Sequence, residues 1–311
     1  MTTVGLIGPP ERAEIERLAI RLEERGAEPV FLDTQRDPEI SIARGALAAC
    51  GEDITRLRAV YVVDLRVPSP LVTDREGKVD AARSRHALER SRRYLAAWNA
   101  LLTRLGRTAL VVNPPASHLL HALKPYEVAV YAQAGIPVPA TVATSDPSAL
   151  ASGLPRGVAE WIRKGMVGGF THTERLDVPG SPGAAAAILR GGPVMAQERI
   201  SGENVRAFVV GGEMIGAAEV VPTTGRESDS RRGDSRVRRV ALPEEAARHA
   251  VWAAGRWGMS FAAVDFMREA RTGRYVPLEC NSAPFFVNFE ARTGIDVSGR
   301  LADHLLGKRP R

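Results

Sequence analysis

Residues 3–33 run from a short apolar stretch (TVGLIG, 3–8) through an amphipathic segment (10–25) to a second apolar stretch (PVFLD, 29–33). Ile15, Leu18, Ala19 and Leu22 recur at the spacing of one helix face, and Gly26 stands where such a helix is capped. A third apolar stretch, AVYVVDL, covers 59–65. Strands alternating with helices bury their apolar faces as a parallel sheet with helices packed on it. The opening of the chain is therefore expected to form such a sheet.

The sheet is expected to be of Rossmann-like type, although the turn carrying Gly5 and Gly8 lacks the GxGxxG spacing of a dinucleotide site. A helix over 81–105 and a strand in ALVVNPP (109–115) complete this N-terminal unit. A second unit starts near residue 116, with a helix ending at Gly135, a strand in IPVPATVAT, and a strand, glycine-containing loop and strand in VAEWIRKGMVGGFTHTERL. PVMAQERI reads as a further strand, and VRAFVVGGEMIGAAEV as a hairpin about Gly211-Gly212. The polar, Arg-rich residues 223–239 are expected to form a mobile loop. A helix over 243–257, antiparallel strands in FAAVDFMRE and RYVPLECN, and a helix over 296–306 close the chain.

With 311 residues the chain can bury a large core and form two or three domains. Hydrophobic content of 44% and charged content of 25% are those of an ordinary globular protein. No apolar run has the length of a membrane span, and the N-terminus lacks the pattern of a signal peptide, so no membrane partner and a cytoplasmic location are expected. Cys50 and Cys280 offer neither a disulfide framework nor a zinc pattern. The net charge is +6, carried by arginines; the lysines are Lys78, Lys124, Lys164 and Lys308. No basic run is interleaved with aromatics, which disfavours nucleic acid and leaves solvated Arg-rich helices or anionic small substrates.

The segment VPLECNSAPFF (276–286) is apolar enough to be buried, yet carries Glu279 and Asn281. Alternate residues of a strand share a face, so both side chains point one way and Cys280 the other. Asp265, in the preceding apolar strand, could join them through antiparallel pairing. Two carboxylates and an amide oxygen are hard ligands that suit Mg²⁺, which shares its coordination with phosphates and water. The competing reading is a pair of carboxylates neutralised by arginine at a sheet edge. Cys280 reads as a small core residue.

Lys164 ends a predicted strand and is followed by Gly165, Gly168 and Gly169. Glycines let backbone amides approach an oxyanion, and a lysine adds a point charge. This is not the Gly-Lys-Ser/Thr of a Walker motif, and taken by itself the stretch is better explained as a plain glycine-containing hairpin turn. Lys124 alone would be an ordinary solvated lysine.

Taken in order, these features resemble the ATP-grasp superfamily and, more closely over 113–306, its RimK-like carboxylate–amine ligases. The resemblance rests on Asn113-Pro114, Lys124, GIPVPAT (135–141), Lys164 with GMVGG, QERISGENVR (197–206), Val264-Asp265, ECNSAP (279–284) and the closing ARTGIDVSGRLADHLL. It implies an α/β and α+β chain: a Rossmann-like pre-ATP-grasp domain (1–115), a small ATP-grasp subdomain (116–196) and a C-terminal subdomain carrying the metal ligands (197–311). It implies ATP with Mg²⁺, or Mn²⁺, as cofactors. Asp265, Glu279 and Asn281 would hold the metal. Lys124 and Lys164, with Gly168 and Gly169, would contact phosphates. Gln197, Glu198, Arg199 and Ile200 would form the adenine hinge, Glu203 or Asn204 would bind ribose, and Arg206 would serve the phosphates or an acyl phosphate.

The reaction so implied is attack of a substrate carboxylate on the γ-phosphate of ATP, followed by capture of the acyl phosphate by an amine. Such chemistry needs alignment and charge neutralisation rather than a protein nucleophile. The carboxylate and amine would come from small molecules or peptides, with glutamate addition to a peptide, protein tail or cofactor attractive by resemblance. A homo-oligomer is compatible with this reading. A nucleotide-binding scaffold that kept the fold without the chemistry is the rival. Phe285-Phe286 follow Pro284 where RimK-like chains often have glycine, which predicts either an aromatic wall at the acceptor pocket or two core residues. Arg226, Arg231, Arg232, Arg236 and Arg238 form either a clamp for anionic substrate or part of a solvated loop. His118 and His121 are expected to pack near the domain junction.

Overall fold

The computed structural model describes residues 1–35, 38–65, 78–167, 173–222 and 235–308. Strands β1 (Thr2–Ile7) and β2 (Ala27–Leu32) flank helix α1 (Ala13–Glu23). A small antiparallel sheet of β3 (Ile40–Ala43), β4 (Ala46–Ala49) and β5 (Glu52–Asp53) follows. Then come β6 (Ala59–Val62), α2 (Ala81–Leu105) and β7 (Leu110–Val112). The main N-terminal sheet runs β2-β1-β6-β7 with every pairing parallel, as the strand–helix alternation predicts. Ile15, Leu18 and Leu22 of α1 cover one face of it, and Trp98, Leu101, Leu102 and Leu105 of α2 cover the other.

Helices α3 (Pro115–His118) and α4 (Lys124–Gln133) lead into the second sheet. It comprises β8 (Thr141–Thr144), β9 (Trp161–Lys164), β10 (Glu174–Leu176) and β11 (Val194–Glu198), with α5 (Pro147–Ser152) and α6 (Pro182–Ile188) between them in sequence. All pairings are antiparallel, in the order β10-β9-β11-β8. Its own core is formed by Leu150, Trp161, Leu176, Ala185, Val194 and Ala196. Strand β11 continues to Glu198, across the division at 196/197 drawn from the sequence.

The third sheet is built from β12 (Gly202–Val210), β13 (Glu213–Pro222), β14 (Ser235–Val240), β15 (Phe261–Glu269) and β16 (Tyr275–Asn281). It is antiparallel throughout, in the order β14-β13-β12-β15-β16. Helix α7 (Glu244–Arg256) covers one face through Ala250, Ala253 and Ala254. The other face, with Phe208, Val210, Phe261 and Ala263, meets α8 (Val287–Thr293) and α9 (Val297–Leu305). Val4, Ile15, Leu18 and Leu22 belong to this same apolar cluster, so the first and third sheets share one core.

The structure departs from expectation in places. Residues 40–53 form a sheet that the sequence does not announce, and 287–293 form a helix. Residues 235–239 were expected in a mobile loop but form part of β14, because Val237 packs against the shared core while Arg238 pairs with Glu219. The rest of that loop, 223–234, lies outside the described residues, and with it Arg226, Arg231 and Arg232. Among the described residues no helix is long and apolar enough to cross a membrane.

Candidate active site

The centre of the site is the pairing of β15 with β16. Asp265 stands opposite Glu279 and Ala263 opposite Asn281, with a register shift between Asp265 and Phe266 that leaves Leu278 as the extra residue. Such a bulge re-aims side chains beside it. Asn281 Nδ2 donates to Asp265 Oδ2 at 3.1 Å. On the other flank of β15, Arg206 of β12 pairs with Asp265, its Nε and Nη2 donating to the two carboxylate oxygens at 2.6 and 2.9 Å. Lys124, the first residue of α4, places Nζ 2.9 Å from Glu279 Oε2. Side-chain exposures of 14% for Lys124 and Glu279, and 24% and 20% for Arg206 and Asp265, leave the cluster open to solvent on one side. Cys280 is buried on the opposite face, with Sγ 3.7 Å from Met259 Sδ.

The second sheet contributes Lys164 and Gln197. Lys164 Nζ donates to Gln197 Oε1 at 3.2 Å, and Gln197 Nε2 donates to Thr141 Oγ1 at 3.0 Å. Burial holds the Lys164 ammonium below the usual lysine range, with the Glu279 carboxylate pulling the other way and Lys124 reinforcing the depression. Lys124, Lys164 and Glu279 therefore feel one another across the two sheets. The neighbouring Asp265 carboxylate raises the Arg206 guanidinium further above its usual range.

The remaining predicted residues spread outward. The Glu198 and Arg199 N–H groups donate to Ala140 O at 2.8 Å and Glu160 O at 2.9 Å. Glu198 Oε2 also accepts from the Ala140 N–H at 3.0 Å, and Arg199 pairs with Glu160 at 2.6 Å. Glu203, at the start of β12, pairs with Arg268, and Asn204 stands opposite Met267. Gly168 and Gly169 lie outside the described residues.

Two features escaped the sequence reading. Glu127 of α4 is buried, and its Oε1 accepts from Tyr131 Oη at 2.5 Å and from the Cys280 N–H at 2.6 Å. Burial pushes its carboxyl up to about 8 against the pull of those two bonds. The available signal was a carboxylate one turn past Lys124 on a helix that is otherwise apolar there. Asn113 is fully buried, donates to Phe261 O and Ser282 O at 2.5 Å each, and accepts from the Ser260 and Phe261 N–H groups at 3.0 and 3.1 Å. Its motif was noticed, but this role was not. Of the two aromatics noted in the sequence, Phe286 is a fully buried core residue, whereas Phe285 is 63% exposed with the Arg12 guanidinium 3.9 Å over its ring. His118 and His121 pack near Ser282, each with a ring nitrogen 3.4 Å from Ser282 Oγ.

Among the described residues no group of three His, Cys, Asp or Glu side chains could enclose a metal. Asp265, Glu279 and Asn281 instead offer a part-built set of oxygen donors whose two negative charges are balanced by Arg206 and Lys124. That set fits a hard cation taking its other ligands from phosphate and water.

Residues 191–305 match the RimK-like ATP-grasp domain. The probable alpha-L-glutamate ligase of Aliivibrio salmonicida is 38% identical over 116 residues, and that of Serratia proteamaculans 34% identical over 116 residues. Each match covers 36% of this chain and 38% of the relative, so the chain spans well under half the length of the curated relatives it matches. Likeness to solved structures extends over the whole chain. The ATP-grasp ligase PsnB complexed with a minimal precursor superposes with a TM-score of 0.83 at 27% identity, covering 99% of this chain and 98% of PsnB. Its complex with minimal precursor, Mg and ADP gives 0.81 at 28% identity, covering 98% and 96%. The macrocyclase MdnC of Microcystis aeruginosa, bound with precursor peptide MdnA, shares the fold at 0.76 and 17% identity, covering 98% and 99%. The chain thus has the ATP-grasp fold, and its residues 191–305 are similar to the RimK-like ATP-grasp domain.

Proposed function

We propose that the chain is an ADP-forming ligase that activates a peptide carboxylate with ATP and couples it to an amine. The observation that carries this reading is the convergence of Lys124, Lys164 and Arg206 on Asp265, Glu279 and Asn281 at the meeting of two sheets. Whole-chain likeness to PsnB, solved with Mg, ADP and a precursor, supports both the nucleotide and the peptide. Asp265, Glu279 and Asn281 would hold Mg²⁺, which when bound neutralises phosphate charge and orients the γ-phosphate. Lys124 and Lys164 hold the phosphates once their present partners, Glu279 and Gln197, release them. Arg206 offers a planar two-pronged donor suited to carboxylate or phosphate.

In the first step a carboxylate oxygen of the substrate bonds to the γ-phosphorus and the bond to ADP breaks. In the second, the amine nitrogen bonds to the acyl carbon, loses a proton, and phosphate leaves with one oxygen of the original carboxylate. A second reading, with free glutamate as the amine, draws support from the glutamate ligase relatives, though only over the C-terminal segment. A nucleotide-binding scaffold without turnover fits the intact set of charged groups less well.

The test is ADP release with Mg²⁺–ATP and a panel of carboxylate peptides and amines, glutamate among them. Labelling the active substrate's carboxylate with ¹⁸O must deliver one labelled oxygen to the phosphate. Unlabelled phosphate, or AMP in place of ADP, refutes the acyl-phosphate route.

A further inference from the structure

We infer that Glu127 is a positioning residue that fixes the geometry of the metal-binding edge strand relative to Lys124. The inference rests on the reading of Asp265, Glu279 and Asn281 as a metal–nucleotide site. Strand β16 lies at the edge of the third sheet, so N–H groups on its outer side have no strand to bond. The Cys280 N–H is one of them, and it sits between Glu279 and Asn281 in the chain. A buried N–H without an acceptor is costly, and Glu127 supplies that acceptor at 2.6 Å.

Glu127 stands three residues after Lys124 on α4, so the two share one face of the helix. That face makes two contacts with adjacent residues of β16: Lys124 with the Glu279 side chain, and Glu127 with the Cys280 main chain. The first can be broken when a nucleotide draws Lys124 away. The second, fully buried and braced by Tyr131 Oη at 2.5 Å, stays. It keeps α4 and β16 in register while the Lys124–Glu279 pair opens, and so holds Glu279 and Asn281 where a cation needs them. The geometry uses an acceptor oxygen, which glutamine also provides.

The experiment compares wild type, Glu127→Gln and Glu127→Leu, the last filling the space without an acceptor. Calorimetry reads ADP affinity with Mg²⁺ and with chelator, and the melting temperature is recorded alongside. Wild type and Glu127→Gln should gain the same affinity from Mg²⁺, whereas Glu127→Leu should lose about tenfold or more of that gain. Its metal-free ADP affinity should stay near that of wild type. Full Mg²⁺ gain in Glu127→Leu, or equal loss in Glu127→Gln, overturns the inference while leaving the proposed function standing. A wild type that binds ADP no tighter with Mg²⁺ overturns the metal–nucleotide reading and this inference with it. Should the Leu variant not fold, hydrogen exchange of the wild-type Cys280 amide decides. Protection that is high both without and with Mg²⁺–ADP supports the role, and protection that is low in either state overturns it.

Discussion

Arg206 and Asp265 face each other across β12 and β15 and join through two parallel hydrogen bonds of 2.6 and 2.9 Å. This fork depends on the planar guanidinium, which lysine keeps in charge but not in shape. Arg206→Lys is therefore expected to lower turnover by about 100-fold, the scale of a lost transition-state donor. An ADP-release assay checks this, and turnover within about threefold of wild type would remove Arg206 from the chemistry.

Glu279→Gln keeps the shape of the side chain and removes its charge. The pair with Lys124, each side chain 14% exposed, lies between the surface and the buried case, so the melting temperature should fall measurably. The Mg²⁺ dependence of turnover should shift far more, since a carboxylate is a much better ligand than an amide for a hard cation. Normal activity with normal Mg²⁺ dependence in this variant would end the metal assignment.

Asn113 satisfies two carbonyls and two N–H groups inside the protein, linking the end of β7 to the start of β15 and to Ser282. Asn113→Ala strands all four and is expected to cost about 3 kcal/mol or more. Urea unfolding gives the value directly. A loss under about 1 kcal/mol would mean that the main-chain groups find other partners.

Glu290 ties α8 to α9 and α1: it accepts from the Ser298 N–H at 3.1 Å and Oγ at 2.8 Å, and from Arg17 at 3.1 Å. Burial opposes its charge, but the Ser298 and Arg17 bonds outweigh it and hold the carboxyl below its ordinary 4.5. A depressed folded value stabilises the protein above pH 4.5 and ceases to do so as pH falls through that folded value. Glu290→Gln should thus be less stable than wild type at neutral pH, and the gap should narrow on acidification below 4.5. Parallel pH–melting curves for the two proteins would contradict this.

Much of the fold was legible because strong periodicity coincides with burial. The 81–105 helix was read to the residue, and the alternation in 261–281 allowed an antiparallel pair bringing Asp265 near Glu279, whose register the structure supplies. The 40–53 sheet was not, because its strands are rich in alanine, a weak strand former, and their turn rests on Gly45 at φ +84°. Within the candidate site, the side chains that carry charge were nameable in advance. Glu127 was not, because its partner Cys280 lies 153 residues away and nothing local marks its burial. Phe285 and Phe286 are neighbours with opposite fates, set by an α1 whose Glu14 accepts the Phe286 N–H and whose flanking Arg12 covers Phe285.

The cluster that unites Ile15, Leu18 and Leu22 with Phe286, Leu301 and Leu305 has a consequence for biosynthesis. Helix α1 leaves the ribosome well before α9, and the part of its apolar side that β1, β2 and β6 do not cover waits for that helix. Contacts so far apart in sequence slow folding and prolong exposure of sticky intermediates. A nascent chain of this protein should therefore lean on chaperones until α9 has been made. Cutting it after residue 294 should leave a species that binds hydrophobic dyes, even though it keeps every strand of the described residues.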